Sequence, residues 1–274
     1  MMNTTAKIDE VLRVINAEHP DPFSVLGMHR LESQDAMVVR AYLPNAQAID
    51  VVPLSGGKRY KMDRIHENGF FEVVMDDRND FFKYVLEITD DMGNSFSIHD
   101  PYSFMPVLSE FDIHLFGEGN NHKIYEKLGA HKMTVDGIEG TFFAVWAPCA
   151  KRVSVVGHFN QWDGRRHPMR TRGPSGVWEL FIPGINQGEI YKYEIKTPHD
   201  EIYVKADPYA FYSELRPNTA SIVYDIDGYE WGDRDWMYER DNSNNFEKPV
   251  SIYEVHLGSG KRVSNEDENG FHTY

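Results

Sequence analysis

The segment Gly157-His158-Phe159-Asn160-Gln161-Trp162-Asp163-Gly164 sets one large aromatic ring among amide and carboxylate side chains, with glycine at both ends. A run rich in β-branched residues, 153–156, leads into it. A strand therefore ends at Gly157, and residues 160–164 turn tightly and lift Trp162 from the sheet. The chemistry open to such a group is recognition. A sugar ring offers a flat C–H face that a rigid indole matches and a rim of hydroxyls that Asn, Asp and Lys match. Lys192 and Tyr203 extend the same surface if the runs around them fold as their alternation predicts. The competing reading makes Trp162 a hydrophobic plug over the end of a sandwich.

Other chemistries find no support. Gly56-Gly57-Lys58 lacks the upstream glycine of a phosphate loop, and Gly117-Glu118-Gly119 runs into Asn-Asn-His, so both are turns. The 12 histidines are dispersed without metal-ligand spacing, and His19, His29 and His256 flank apolar segments as structural residues. No Gly-x-Ser-x-Gly elbow marks a nucleophile. Glycosidic chemistry needs paired carboxylates, and nothing singles out any of the 43 acids. No metal and no cofactor is expected.

The elements that must position Trp162 are short. Residues 4–18 form the best helix, with Ile8, Val11, Leu12 and Ile15 on one face and Asp9 and Glu10 early, where the helix dipole favours acids. His19-Pro20-Asp21-Pro22 ends it. Strands are predicted at 37–43, 48–52, 70–75 and 84–89, then at 141–146, 153–157, 177–182 and 190–195. Trp178 alternates with Leu180 and Ile182 and so faces a core. The two halves also answer each other. Tyr42-Leu43-Pro44 matches Trp146-Ala147-Pro148, Gly69-Phe70-Phe71-Glu72 matches Gly176-Val177-Trp178-Glu179, Phe82-Lys83-Tyr84 matches Tyr191-Lys192-Tyr193, and Asp100-Pro101-Tyr102 matches Asp207-Pro208-Tyr209. Glycine and aspartate stand 31 residues apart in both copies, which points to a tandem duplication of one antiparallel sandwich. The first copy has Pro53-Leu54-Ser55-Gly56 where the second has its Trp turn, so it reads as a spacer or docking domain. Pro249-Val250-Ser251-Ile252-Tyr253-Glu254-Val255-His256-Leu257 reads as one buried strand, and a lone strand must join a larger sheet.

Composition narrows the partners. Within 274 residues, 41% are hydrophobic and 26% charged, enough for two cored domains. Lys and Arg total 28 against 43 Asp and Glu, and the net charge of −15 repels phosphate backbones and anionic lipid. Nucleic acid and membrane are thus excluded as main partners. Cys149 stands alone, which excludes an internal disulfide and a zinc–thiolate cluster. Without an apolar run of about 18 residues or a secretory signal, the chain reads as soluble and cytoplasmic.

The residues carry a family resemblance. His19-Pro20-Asp21-Pro22-Phe23-Ser24-Val25-Leu26-Gly27-Met28-His29 resembles the opening signature of bacterial glycogen branching enzymes. Phe142-Phe143-Ala144-Val145-Trp146-Ala147-Pro148, residues 153–164 and Ala206-Asp207-Pro208-Tyr209-Ala210 resemble their sugar-binding module of the family-48 type. Ser251-Ile252-Tyr253-Glu254-Val255-His256-Leu257-Gly258-Ser259 resembles the entry strand of a family-13 catalytic barrel. The resemblance implies a mostly β chain: two tandem immunoglobulin-like β-sandwiches after a short N-terminal helix, then the first strand of a truncated (β/α)8 barrel. Its divisions are a helix at 1–19, sandwiches at 20–110 and 137–216, linkers at 111–136 and 217–248, and the start of the barrel at 249–274.

By the same resemblance the activity is cleavage of an α-1,4 glucan and its reattachment as an α-1,6 branch, by a retaining mechanism with two carboxyl groups. The implied partner is α-glucan, and the implied ligands are Trp162, Lys192, Tyr203 and Asn160. A barrel needs roughly 250 residues, and 25 follow Pro249. No position matches a catalytic carboxylate, so this chain alone is expected to be inactive. Gly260 stands where the family places a Trp, and His272 where it places a small apolar residue; with the early stop, this suggests a gene fragment or disrupted locus. A noncatalytic glycogen-binding protein, or another α-glucan enzyme of the superfamily, is the alternative.

Overall fold

The computed structural model describes residues 3–31, 35–242 and 249–256. The chain divides after Asp227 into two compact units. In the first unit, α1 (Ile8–Ile15) precedes β1 (Gly27–Leu31), β2 (Ala36–Tyr42), β3 (Ala46–Pro53), β4 (Tyr60–Lys61), β5 (Asp63–His66), β6 (Phe70–Met75), β7 (Tyr84–Asp90) and β8 (Ser95–Ile98). These strands pair antiparallel in two sheets of order β1-β2-β6-β5 and β4-β3-β7-β8. The order then recurs: α2 (Glu110–Gly117), β9 (Gly129–Val135), β10 (Ile138–Trp146), β11 (Arg152–Gly157), β12 (Arg170–Thr171), β13 (Val177–Pro183), β14 (Ile190–Lys196), β15 (Ile202–Lys205), β16 (Tyr212–Ser213) and β17 (Ser221–Ile222). Its sheets run β12-β13-β10-β9 and β11-β14-β17-β16, with β15 also on β14.

The eight strands predicted between 37 and 195 are present, and the mostly β architecture is as expected. Each sandwich closes over its own core: Met37, Val39, Ile49, Val51, Phe71, Leu86 and Ile88 in the first, and Phe143, Val145, Val153, Val155, Leu180, Tyr191 and Tyr193 in the second. Trp178 lies in the second core as its alternation predicts, with its indole N–H on the Ala147 carbonyl at 3.0 Å. Strand β2 is buried at every position, because the core covers one face and α1 covers the other through Val11, Val14 and Ile15. The predicted helix is shorter than 4–18, and its buried face is turned. Ile8 and Leu12 are exposed, and Ala17 takes a left-handed φ of 51° that stops the helix before the prolines.

The duplication extends to its polar anchors, with the Tyr193 hydroxyl as an added donor to Asp207 in the second copy. The Tyr84 hydroxyl donates to Asp100 at 2.6 Å and the Tyr191 hydroxyl to Asp207 at 2.7 Å, the partners standing 16 positions apart in both copies. The equivalent of Tyr84 is therefore Tyr191, two residues before the Tyr193 that the sequence match assigns. In each copy the aspartate also accepts the backbone N–H two residues on, from Tyr102 and Tyr209. Gly27 and Gly129 (φ +87° and +108°) pass so close to the Tyr102 and Tyr209 carbonyl oxygens that a Cβ would stand 2.6 and 2.9 Å from them.

A buried glutamate grips the chain arriving at each sandwich. Glu72 takes the Thr5 N–H at 2.9 Å, the Thr4 hydroxyl at 2.9 Å and Arg40 Nε at 2.8 Å. Glu179, 1% exposed, takes the Leu108 N–H at 2.9 Å and the Val107 N–H at 3.3 Å, and pairs with Arg170 at 3.3 Å. The stretch 111–136, expected as a linker, thus holds most of α2 and the whole of β9, the counterparts of α1 and β1. Contacts across the junction tie the sandwiches together. The Arg170 guanidinium lies 3.5 Å from the Phe23 ring centroid, the Tyr102 hydroxyl donates to the Pro168 carbonyl at 3.3 Å, and Lys196 pairs with Glu18 at 2.8 Å.

In the second unit, α3 (Arg234–Asp241) carries exposed Trp236 and Tyr238. Residues 249–256, expected to open a barrel, are exposed and join no ladder, and the remainder of that segment, 257–274, lies outside the described residues. No described helix is long and apolar enough to cross a membrane.

Glu179 generates a stability prediction. Glu179→Ala leaves Arg170 without its carboxylate and two backbone N–H groups without an acceptor. The expected loss is about 3–5 kcal/mol, read as a lowered urea midpoint by circular dichroism; an unchanged midpoint would refute the grip.

Candidate functional site

Strand β11 delivers the chain to Gly157, where a single 3-10 turn, His158–Asn160, begins the loop. Gln161 and Trp162 then both take the left-handed conformation, with φ of 59° and 60°. Two successive non-glycine residues in that region cost backbone energy, so the surroundings must enforce it. They do. The Trp162 N–H reaches back to the Gly157 carbonyl at 2.9 Å, and the Asp163 N–H to the Asn160 carbonyl at 3.2 Å. From the first sandwich, the Asn45 amide donates to Gln161 Oε1 at 3.3 Å.

Asn160 is the staple of this loop. It is fully buried; its Oδ1 accepts the Gly157 N–H at 2.9 Å, and its Nδ2 donates to the Val155 carbonyl at 2.8 Å and to His167 Nδ1 at 2.9 Å. The side chain expected to meet sugar hydroxyls therefore faces the interior and presents nothing to a ligand. Its partner His167 is pushed down to about 3 by burial, aided by the nearby Arg166 charge, and stays neutral as an acceptor.

Trp162 is half-buried, and its indole N–H is held by His158 Nδ1 at 3.1 Å, which leaves the ring's flat surface as what it can offer. It lines a cleft of about 320 Å³. Asp163 and Arg165 come from the loop, Arg152, Glu194 and Lys196 from β11 and β14, and Ile202 from β15, while Asn16 and Ala17 at the end of α1 form the opposite wall. The charges are matched in pairs. Arg165 binds both oxygens of Asp163, at 2.9 and 2.8 Å, and although burial works against it the pairing holds the carboxyl below its usual range. Arg152 pairs with Glu194 at 2.6 Å.

Lys192 is not among the residues lining this cleft, but alternation along β14 puts it on the same sheet face as Glu194 and Lys196. Its ammonium donates to the Thr219 hydroxyl at 2.7 Å, on an exposed loop with Leu215 and Asn218. Tyr203 pairs in register with Ile195, whereas Ile202 pairs with Lys196. Tyr203 thus projects from the other face of the sheet, with its hydroxyl on Glu201 at 3.2 Å. The structure gathers Trp162 and, at a distance along the same face, Lys192; Asn160 lies beneath them and Tyr203 behind. Sequence reasoning missed Ile202, whose place follows from the β15 register, and Asn16 and Ala17, for which no local signal exists.

An aromatic face walled by amide, carboxylate and guanidinium groups suits a neutral polyhydroxyl ligand. It does not suit hydrolysis, because both carboxylates in the cleft, Asp163 and Glu194, are tied to arginines. The carboxyls that burial does raise, Asp100 (to about 6), Glu179 and Asp207, lie inside the sandwiches with donors already in place. No group of His, Cys, Asp or Glu among the described residues could hold a metal ion.

Comparison with known proteins places these modules. Residues 7–102 match the alpha-1,4-glucan branching enzyme GlgB N-terminal domain, and residues 127–210, which include the Trp162 loop, match carbohydrate-binding module 48 (isoamylase N-terminal domain). Over most of its length this chain is similar to the N-terminal portion of 1,4-alpha-glucan branching enzymes. It is 50% identical over 268 residues to a 1,4-alpha-glucan branching enzyme GlgB of Thermosynechococcus vestitus, covering 96% of this chain and 34% of that one. The figures are 51% over 262 residues for the Synechocystis enzyme (94% and 34%) and 49% over 256 for that of Rubrobacter xylanophilus (93% and 34%). The chain spans about a third of the length of these branching enzymes.

Two outcomes test the loop. Asn160→Ala strands buried donors and acceptors and should cost about 2–4 kcal/mol, seen as a lower melting temperature. For His167, the unfolded ring takes a proton near 6.5 and the folded ring only near 3. Its contribution to stability is complete above pH 6.5 and declines as the pH falls toward 3. His167→Gln should flatten the dependence of melting temperature on pH between 6.5 and 4.5; parallel profiles would sink the assignment.

Proposed function

We propose that this chain is the glucan-docking portion of a cytoplasmic 1,4-alpha-glucan branching enzyme of glycogen biosynthesis, and that its second sandwich holds α-glucan chains against Trp162. The observation that carries this reading is the left-handed Gln161–Trp162 pair, which sets an indole face at the edge of a cleft lined by hydroxyl-matching groups. The named relatives and the module-48 match support it. Lys192 and Thr219 continue the surface along β14. Cleavage of the α-1,4 bond and transfer to a 6-hydroxyl require a nucleophilic carboxylate and an acid/base carboxyl. Asp163 and Glu194 are not free for either role, so the reading assigns this chemistry to a barrel domain for which 249–274 supply the opening strand.

Glycogen co-sedimentation tests the docking role. Trp162→Ala should weaken binding about fivefold to tenfold with an unchanged melting temperature; loss of both would make the ring a plug. Incubation of the purified chain with amylose should leave the iodine-complex absorbance constant, and a reproducible fall would overturn the assignment of catalysis elsewhere.

A further inference from the structure

A second cleft, of about 200 Å³, lies at the junction of the two sandwiches. Its walls are largely apolar: Leu43, Phe96 and Tyr102 come from the first sandwich, and Phe159 and Ile185 from the second. One guanidinium, that of Arg166, lines it. Every other arginine that is not exposed has a partner among the described residues. Arg40 has Glu72, Arg78 the Tyr60 hydroxyl, Arg152 Glu194, Arg170 Glu179 and Arg172 Glu110. Among the described residues the Arg166 side chain has neither a hydrogen bond nor an ion pair; it is part-buried, and its Nε, like those of Arg152, Arg170 and Arg172, is buried without an acceptor. The nearest carboxylate in sequence, Asp163, has both oxygens taken by Arg165. Asp100, also in the cleft wall, is bonded through both oxygens to the Tyr84 hydroxyl and the Tyr102 N–H. Partial burial pushes the Arg166 guanidinium below its ordinary pKa, against the attraction of the nearby Asp163.

A part-desolvated guanidinium that no protein acceptor meets is open to an anion, and its fork matches the oxygens of a carboxylate, phosphate or sulfonate. The apolar walls call for an apolar body behind those oxygens. We propose that the junction cleft is a binding site for a small organic anion, an aromatic or aliphatic body bearing one such group, held by Arg166 and clasped between the two sandwiches. This site is separate from the Trp162 cleft and does not depend on glucan binding.

Isothermal titration of the full chain with 2-naphthoate and with uncharged 2-naphthalenemethanol tests it. The anion should bind at least about tenfold more tightly, the margin of one charge-assisted contact. Arg166→Gln should erase that preference, and Arg166→Lys should retain part of it. Ile185→Phe, which fills the cleft while leaving the charge, should abolish binding of both probes. Glycogen co-sedimentation should stay as in the unaltered chain for Arg166→Gln. Equal affinity for the two probes, or an anion preference that survives Arg166→Gln, would overturn the proposal; should that variant not fold, unchanged binding in Ile185→Phe would do the same.

Discussion

A carboxylate on the covered face of a sheet must be met by donors, or it opposes the fold by several kcal/mol. Glu72 and Glu179 meet this constraint in the same way, each by capturing backbone N–H groups or hydroxyls of the segment that precedes its sandwich. That capture fixes where α1 and α2 begin and so which faces of β2 and β10 they cover. Around Glu179 the effect spreads outward. Arg170, its ion partner, donates to the Phe104 carbonyl and stacks on Phe23, so one buried charge sets the path between the sandwiches and the contact that joins them.

The same orientation shapes the surface around Trp162. With the junction fixed, the end of α1 stands across from the loop, and Glu18 reaches Lys196. An indole on a strained loop would ordinarily relax onto the sheet. Here the fully buried Asn160 amide ties the loop to its root, and His158 satisfies the indole N–H, so the ring keeps its position without a ligand. Rigid presentation of a flat ring lowers the ordering cost of binding. The first sandwich, which lacks a matching tryptophan, contributes instead a wall and the Asn45 brace.

Much of this was legible in the residues. The eight long strands follow from alternation and from turn residues, and the duplication follows from the recurrence of Gly and Asp-Pro-Tyr at one spacing. Short strands such as β4, β12 and β16 were not legible, because two residues carry no periodicity and pair only where a neighbour's edge is free. Periodicity alone turns the helix face the wrong way, because Ile8 and Leu12 are apolar by type while burial is decided by which side Tyr42 and Phe70 occupy. At the site, the loop sequence marks Trp162, whereas residue type alone points to Asn160 and Tyr203. An amide can serve a ligand or a backbone equally well, and a tyrosine on an edge strand faces whichever way the register turns it. The stretch 111–136 looked like a linker because α2 has almost no amphipathic stripe to betray it, and none of its residues is fully buried.

The reach of Glu179 also ties residues well upstream of β9 to the second sandwich. Its carboxylate is completed by Val107 and Leu108, about twenty residues ahead of the boundary that sequence families assign at 127. A dissected piece beginning at that boundary would carry a bare acid on its sheet and an arginine robbed of its counterpart's support. Helix and sandwich thus hold together as one physical piece, and a cut that spares both the donors of Glu179 and the Phe104 ring on Phe181 falls ahead of Phe104.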